Sequence, residues 1–373
     1  MQKSPFGNVR KVRYNIMNIG IVIGGNQRGG AERQVSLLAQ GLLNKGFLVV
    51  VFFMSHPYYF GGKHDFGKVK CIHLYNTRYT KHVSLPYFRY LLKKYDISHL
   101  HTFILESIEY GIEALTGSHI KHIGSERSIF FAENPSLAVR LREACKGVSM
   151  ITCNCRAMQE LMVTLDITSH EKTRVVNNGI VLGREAKLSC NKNNKDAFNI
   201  LFVGTLKDIK DPLSFVKAAF RVLETQGNFK FTIAGDGPLR GAIENLLKNS
   251  RFADSFTLLG SLPNEHIPYA MANLLISTST TEASSNSILE ALSEGVPVIG
   301  TAVGGTKELL VGNSFGRLVE PGDIEGIANA IEEFHNKPDY EIMNISKKAK
   351  EFISNNYSVE QMVNEYIKLY GAA

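Results

Sequence analysis

At 373 residues the chain exceeds one typical domain, and 44% hydrophobic against 21% charged residues gives material for two cores. That balance excludes a disordered or fibrous chain, and no apolar run approaches the ~18 residues of a membrane-spanning helix. The net charge of +7 is uneven: residues 1–180 carry 23 Lys+Arg against 12 Asp+Glu, and the remainder 19 against 23. A basic first half suits an anionic partner such as a membrane surface, a lipid diphosphate or a polyanionic glycan. No nucleic-acid-reading module or basic–aromatic platform is present, so nucleic acid is not an expected partner. Residues 1–15 are polar and basic without the apolar core of a secretory signal, and residues 1–16 read as an extension ahead of the first strand. Five scattered cysteines, with Cys153 and Cys155 on one strand and no second pair at metal spacing, read as free thiols in a cytoplasmic protein.

Residues 18–23 read as a strand that breaks at Gly24-Gly25-Asn26-Gln27-Arg28-Gly29-Gly30 and enters a helix over 31–43. The glycines invite a dinucleotide reading. Their spacing is not Gly-x-Gly-x-x-Gly, however, and the next strand, 48–54, ends in Ser55 rather than an acidic ribose ligand. Residues 57–80 read as irregular with one short strand over 69–74. Residues 85–94 form a basic amphipathic helix that faces either the core or an anionic lipid surface. A strand over 96–103 puts His99 and His101 on one face, with no third ligand at metal spacing. A further strand lies within 120–128, ahead of a basic helix over 135–146, a strand over 149–154 and a helix over 156–165. Residues 174–180 close this half, and the polar, Asn/Lys-rich stretch 182–199 reads as a linker.

The second half opens on a strand over 200–203, the loop 204–212 and a helix over 213–223. Strands at 231–234 and 256–259 follow, then a short helix over 267–272. The stretch 276–305 concentrates the chemistry. An apolar run leads into a polar loop, Ser284, Ser285 and Asn286 supply helix-start side chains, and the helix stops at Gly295. A short buried strand follows, so an anion-ready helix start lies at the carboxyl end of a parallel strand. A diphosphate would rest on the amides near Ser287 and Ile288. Glu290, about one turn in, would accept both ribose hydroxyls, and Glu282 ahead of the helix would reach a sugar beyond the phosphates. A last strand at 316–319 and helices over 322–334, 339–356 and 358–370 complete the chain.

The pair Glu282 and Glu290, with Gly295-Val-Pro297-Val and Gly304-Gly305, resembles the Glu-x7-Glu signature of retaining glycosyltransferases of the family 4, group 1 type. The resemblance implies the GT-B fold: two doubly wound, Rossmann-like parallel-sheet domains facing a cleft. It places an acceptor-side domain over 1–181, a linker over 182–199, a nucleotide-sugar domain over 200–356 and a helix over 357–373 that crosses back. It also implies transfer of a sugar from a nucleotide-diphosphate donor, uridine being the expected nucleoside, to a saccharide or lipid-linked acceptor in envelope polysaccharide or lipopolysaccharide assembly. The expected setting is the cytoplasm or the inner face of the membrane, with no metal and no cofactor.

Residue by residue, the resemblance implies catalytic roles for Glu282, His101 and Lys210. Gly29, Gly30, Gly204, Thr205, Lys210, Gly235, Ser261, Ser285, Asn286, Ser287, Ile288 and Glu290 become donor contacts, and Arg127 and His99 acceptor-side contacts. One departure stands out: relatives carry Arg where this chain has Thr205, while Lys210 matches their lysine. That departure keeps a second reading open, a non-catalytic nucleotide-sugar-binding or partner subunit. A sugar-nucleotide 2-epimerase on the same scaffold is a third, and would need further acid/base carboxylates in the cleft.

Overall fold

Apolar strands alternate with amphipathic helices along the chain, and parallel strands need such helical crossovers to return to the same edge. The computed structural model describes residues 17–25, 29–55, 64–76, 80–182, 197–225, 228–312 and 314–372. The first domain runs β1 (Asn18–Ile23), α1 (Gly30–Asn44), β2 (Leu48–Phe53), β3 (Lys70–His73), α2 (Lys81–Lys94), β4 (His99–Phe103) and α3 (Leu105–Ala114). It continues with β5 (Lys121–Ser125), α4 (Pro135–Lys146), β6 (Met150–Cys153), α5 (Arg156–Thr164) and β7 (Thr173–Val175). The second domain runs β8 (Phe198–Val203), α6 (Pro212–Thr225), β9 (Phe229–Ala234), α7 (Arg240–Lys248), β10 (Phe256–Gly260), β11 (Leu274–Ser277) and α8 (Asn286–Ser293). After it come β12 (Val298–Thr301), α9 (Gly304–Leu310), β13 (Gly316–Val319), α10 (Ile324–Asn336), α11 (Asp339–Asn356) and α12 (Val359–Ala372).

The first sheet has the order β3-β2-β1-β4-β5-β6-β7 and the second β10-β9-β8-β11-β12-β13, parallel throughout. In each, the chain moves outward from a central strand and then starts again on its other side. The reversals lie between β1 and β4 and between β8 and β11, and loops leaving the carboxyl ends there open a crevice. These are the two Rossmann-like domains that the strand–helix alternation predicts.

Four elements differ from the sequence reading. Helices α3 and α9 are not foreseen, β7 occupies part of the expected turn, and the predicted helix over 267–272 is a single 3-10 turn, Tyr269–Met271. The linker expected over 182–199 falls mostly outside the described residues, as do Cys190 and residues 26–28 of the glycine loop. The four described cysteines are unpaired.

The chain passes between the domains at two adjacent points, where Ile180 N–H donates to Tyr357 C=O at 2.7 Å. Beyond this crossing α12 returns to the first domain. Val363, Tyr366 and Tyr370 are fully buried there against the core of β1, β2 and α1. Two buried tyrosines of this size each contribute a few kcal/mol, roughly, to holding the helix.

Candidate active site

The carboxyl-end loops of both sheets face one cleft of about 500 Å³. Two glycines permit the close approaches that shape it. A Cβ on Gly235 would lie 1.9 Å from the Gly204 carbonyl, so the turns after β8 and β9 pass only as bare backbone. Gly304 has φ +40°, and a Cβ there would lie 1.9 Å from the Glu282 carbonyl, which fixes the loop carrying Glu282 against the start of α9.

On the second-domain wall, Gly204, Thr205, Lys207, Gly235 and Ser261 line the cleft, as do Ser285, Asn286 and Ser287 at the start of α8. Ser285 does not cap the helix as expected. Its Oγ pairs with Ser287 Oγ at 3.0 Å and leaves the first-turn amides to other acceptors. The Ile288 side chain is fully buried in the second-domain core, so only its backbone is suited to a ligand. Lys210 Nζ pairs with Glu282 Oε2, and Ser279 Oγ donates to the same oxygen at 3.3 Å. Glu290 is 7% exposed and receives the Tyr269 hydroxyl at 2.6 Å and the Arg33 guanidinium. The Asn264 amide oxygen, turned toward the same guanidinium, accepts from its Nε at 2.7 Å.

The first-domain wall presents Gly29, Gly30, Arg33, His64, Ile104 and Arg127. His64 Nε2 lies 3.1 Å from the Gly29 carbonyl. Ile104 takes φ +73° at the end of β4, a costly backbone for a β-branched residue, and such outliers concentrate at functional clefts. Arg127 donates to Asn178 Oδ1 at 3.1 Å and also bonds the Tyr366 hydroxyl of α12. Asn178 in turn donates to Asn286 Oδ1 at 2.8 Å, and Gln34 donates to the same oxygen at 3.2 Å. The start of α8 is therefore held by two first-domain amides. At the rim, Glu308 of α9 accepts from the Arg156 and Ala157 amides at the start of α5, at 2.8 and 3.1 Å.

Two predicted site residues are corrected. His101 is fully buried, with Nδ1 on the Tyr370 hydroxyl at 2.8 Å and Nε2 on Ser125 Oγ at 2.7 Å, and it does not line the cleft. Burial, then the charge of Arg127, holds it well below the ordinary imidazole range, so it is a neutral member of the network that fastens α12. His99 opens β4 at the amino end, the end away from the cleft, and its Nδ1 lies 3.0 Å from Ser98 Oγ. Sequence reasoning also passed over Arg33, Gln34, His64, Asn178 and Tyr269. For Arg33 a signal existed: it completes Gly29-Gly30-Ala31-Glu32-Arg33, one turn into α1, where a side chain projects into the crevice. Among the described residues no three His, Cys, Asp or Glu side chains gather as a metal site, and no helix is long and apolar enough to cross a membrane.

Two family models divide the chain at the domain junction: one described as glycosyltransferase family 4 matches residues 28–184, and one described as glycosyl transferases group 1 matches 184–359. The chain belongs to the family 4, group 1 glycosyltransferases. Among relatives, N-acetyl-alpha-D-glucosaminyl L-malate synthase of Bacillus anthracis is 30% identical over 177 residues, 46% of this chain and 44% of that protein, so the match spans less than half of the relative. The fold of this family 4 chain is shared with Anabaena HepE in complex with UDP (TM-score 0.81, 17% identity, 96% and 100% of the two chains). It is also shared with the apo form of the lipopolysaccharide outer core galactosyltransferase WaaB (TM-score 0.72, 18% identity, 96% and 100%).

Behind the cleft of the family 4 chain, Glu126 at the end of β5 is 3% exposed. Burial pushes its carboxyl up to about 7, against the pull of the Arg127, Ser128 and Leu105 amides that bond it. A carboxyl raised in the folded state stabilises fully below its unfolded value of 4.5, and that contribution is lost as pH rises to about 7. Glu126→Gln keeps the acceptor oxygen without titrating. The urea-unfolding free energy of the natural chain should therefore fall, relative to the glutamine variant, by roughly 3 kcal/mol at most between pH 4.5 and 7.5. Parallel pH profiles of the two proteins would refute this.

Proposed function

We propose that the chain transfers a sugar from a nucleoside-diphosphate donor, with uridine the nucleoside of first choice, to a saccharide or lipid-linked acceptor. The observation that carries this reading is the meeting, in one cleft, of the α8 amino end, Lys210 with Glu282, and the buried carboxylate Glu290. Diphosphate oxygens sit on the α8 amides, whose dipole favours negative charge, and Lys210 offsets the charge that grows as the sugar departs. Glu290 takes the ribose hydroxyls and Glu282 orients the sugar. The acceptor hydroxyl enters from the first-domain wall near His64 and Arg127.

The sugar keeps its anomeric configuration: the acceptor attacks the face that the diphosphate leaves, and the leaving phosphate oxygen takes the acceptor proton. This scheme needs no enzyme nucleophile and no metal. The relative's name, an N-acetylglucosaminyl transfer to malate, and the solved structures with UDP or a lipopolysaccharide role support a nucleotide-sugar donor and a place in envelope glycan assembly. Exposed Val83, Tyr87 and Tyr90 on α2, beside Lys81, Lys93 and Lys94, support peripheral contact with an anionic membrane.

A thermal-shift screen over nucleotide-sugars tests the reading. A cognate donor at about 100 times its Kd should add about 2.7 kcal/mol of apparent stability, a midpoint rise of about 5 °C. The absence of any shift across uridine, guanosine and cytidine donors would sink it. A shift without transfer or hydrolysis would favour a non-catalytic subunit instead, the reading that Thr205 on the cleft wall supports.

A further inference from the structure

Arg33 lies where the nucleotide reading needs a pentose. It belongs to the first domain, yet its guanidinium rests on Glu290 and Asn264 of the second. Its side chain is 15% exposed and that of Glu290 9%, so this is a largely desolvated ion pair across the cleft. Tyr269 already occupies Glu290 Oε2, and Arg33 occupies Oε1. A carboxylate so filled is poorly placed to accept two ribose hydroxyls as well, so a nucleotide that uses Glu290 must move the guanidinium.

A displaced guanidinium does not stay unpaired in such a place, because a buried charge without a partner is strongly unfavourable. Its carrier turn decides where it goes. Gly30, at the start of α1, stands against Asn286, since a Cβ there would lie 3.2 Å from the Asn286 amide nitrogen. Asn286 is the first residue of α8, and Glu290 lies four residues further along, about 6 Å at helical rise. An arginine on this turn spans that distance by rotating its side-chain torsions. The anion reached by the rotation is the diphosphate on the α8 amides, and a guanidinium fork suits phosphate oxygens. On that side Lys210 is held by Glu282, and the loop after β8 presents Thr205.

Resting on the nucleotide reading above, we infer that Arg33 is a ligand-exchanged cation: the donor's ribose displaces it from Glu290, and the freed guanidinium pairs with the donor's diphosphate. Arg33 thus delivers a positive charge from the first domain when the negative charge arrives, and it joins the two domains in both positions.

Calorimetric titration of the full chain with uridine and with UDP separates the two halves of this exchange. Arg33→Ala should bind uridine about tenfold more tightly, because the seat is no longer contested, and UDP about tenfold more weakly, because the phosphate partner is gone. Arg33→Lys should recover part of the UDP affinity, and Arg33→Gln, closer in size, repeats the comparison if the alanine variant folds poorly. Equal tightening of both probes would reduce Arg33 to a plug and overturn the exchange, and equal weakening would reduce it to a structural residue and overturn it too. A natural chain that binds neither probe would instead overturn the nucleotide reading, and the inference with it.

Discussion

Replacing Lys210 with alanine should slow sugar transfer by about 10²–10³-fold while leaving the fold in place. The expectation follows from how the lysine is held. Its backbone is pinned independently of its side chain, since Thr278 Oγ1 bonds the Lys210 and Asp211 carbonyls at 2.9 and 2.7 Å. The ammonium can therefore be removed without moving the loop. Its side chain is 23% exposed and that of its partner Glu282 is 15% exposed, so breaking the pair should cost about 1–2 kcal/mol rather than the larger loss of a fully buried one. The effect on rate is larger because the charge on a departing diphosphate is greatest in the transition state, and a fixed cation beside it acts there more than on the bound donor. Initial rates with saturating donor and acceptor, set beside a thermal midpoint for the same variant, check both halves. A loss below tenfold would mean that Lys207 or Arg33 carries the leaving-group charge and that Lys210 does not. Lys210→Arg should recover only part of the rate, since a planar fork does not replace a compact ammonium at the same distance.

How much of this site can be read from sequence depends on how local its parts are. The α8 unit is legible because strand, loop, helix and stop signal are contiguous: Gly295 does take the left-handed conformation, φ +79°, that its position implied. The two sheets are legible for a similar reason, since buried parallel strands read as apolar runs between amphipathic helices. Short-range logic fails where a distant element decides. His101 is correctly placed on one face of β4 by the two-residue period, but periodicity does not say what covers that face. It is covered by α12, with Tyr370 269 positions away, and this converts an expected ligand-binding histidine into a structural one. Asn286 reads as a helix start facing a ligand; it opens α8 and lines the cleft, and its side chain also joins Gln34 and Asn178 of the other domain, which sequence does not reveal. Glu290 was identified from its spacing to Glu282, whereas its partner Arg33 belongs to the other domain, and no pattern within either segment predicts the pair. Residues within one contiguous strand–loop–helix unit are readable, and residues paired with a distant segment, in the same domain as for His101 and Tyr269 or across the cleft as for Arg33, are not.

That pairing sets the other large effect. Glu290→Ala should lower stability by about 3–5 kcal/mol, because it leaves the Arg33 guanidinium without its carboxylate and the Tyr269 hydroxyl without its acceptor. Burial pushes the Tyr269 phenol well above its ordinary range, so it stays a neutral donor and cannot relieve Arg33 by ionising. The same substitution should weaken UDP binding about ten- to hundredfold if Glu290 holds the ribose. Stability and affinity are separated by adding Arg33→Ala to Glu290→Ala. Removing both charges abolishes the uncompensated cation, so the double variant should regain about 2 kcal/mol or more in urea unfolding, a coupling typical of groups in direct contact. It should not regain UDP affinity, because the hydroxyl acceptor is still missing. Unfolding is best followed with probes in each domain, since two domains need not unfold as one unit. A double variant restored in both stability and UDP affinity would show that Glu290 serves only to neutralise Arg33, and the ribose would have to be held elsewhere in the cleft.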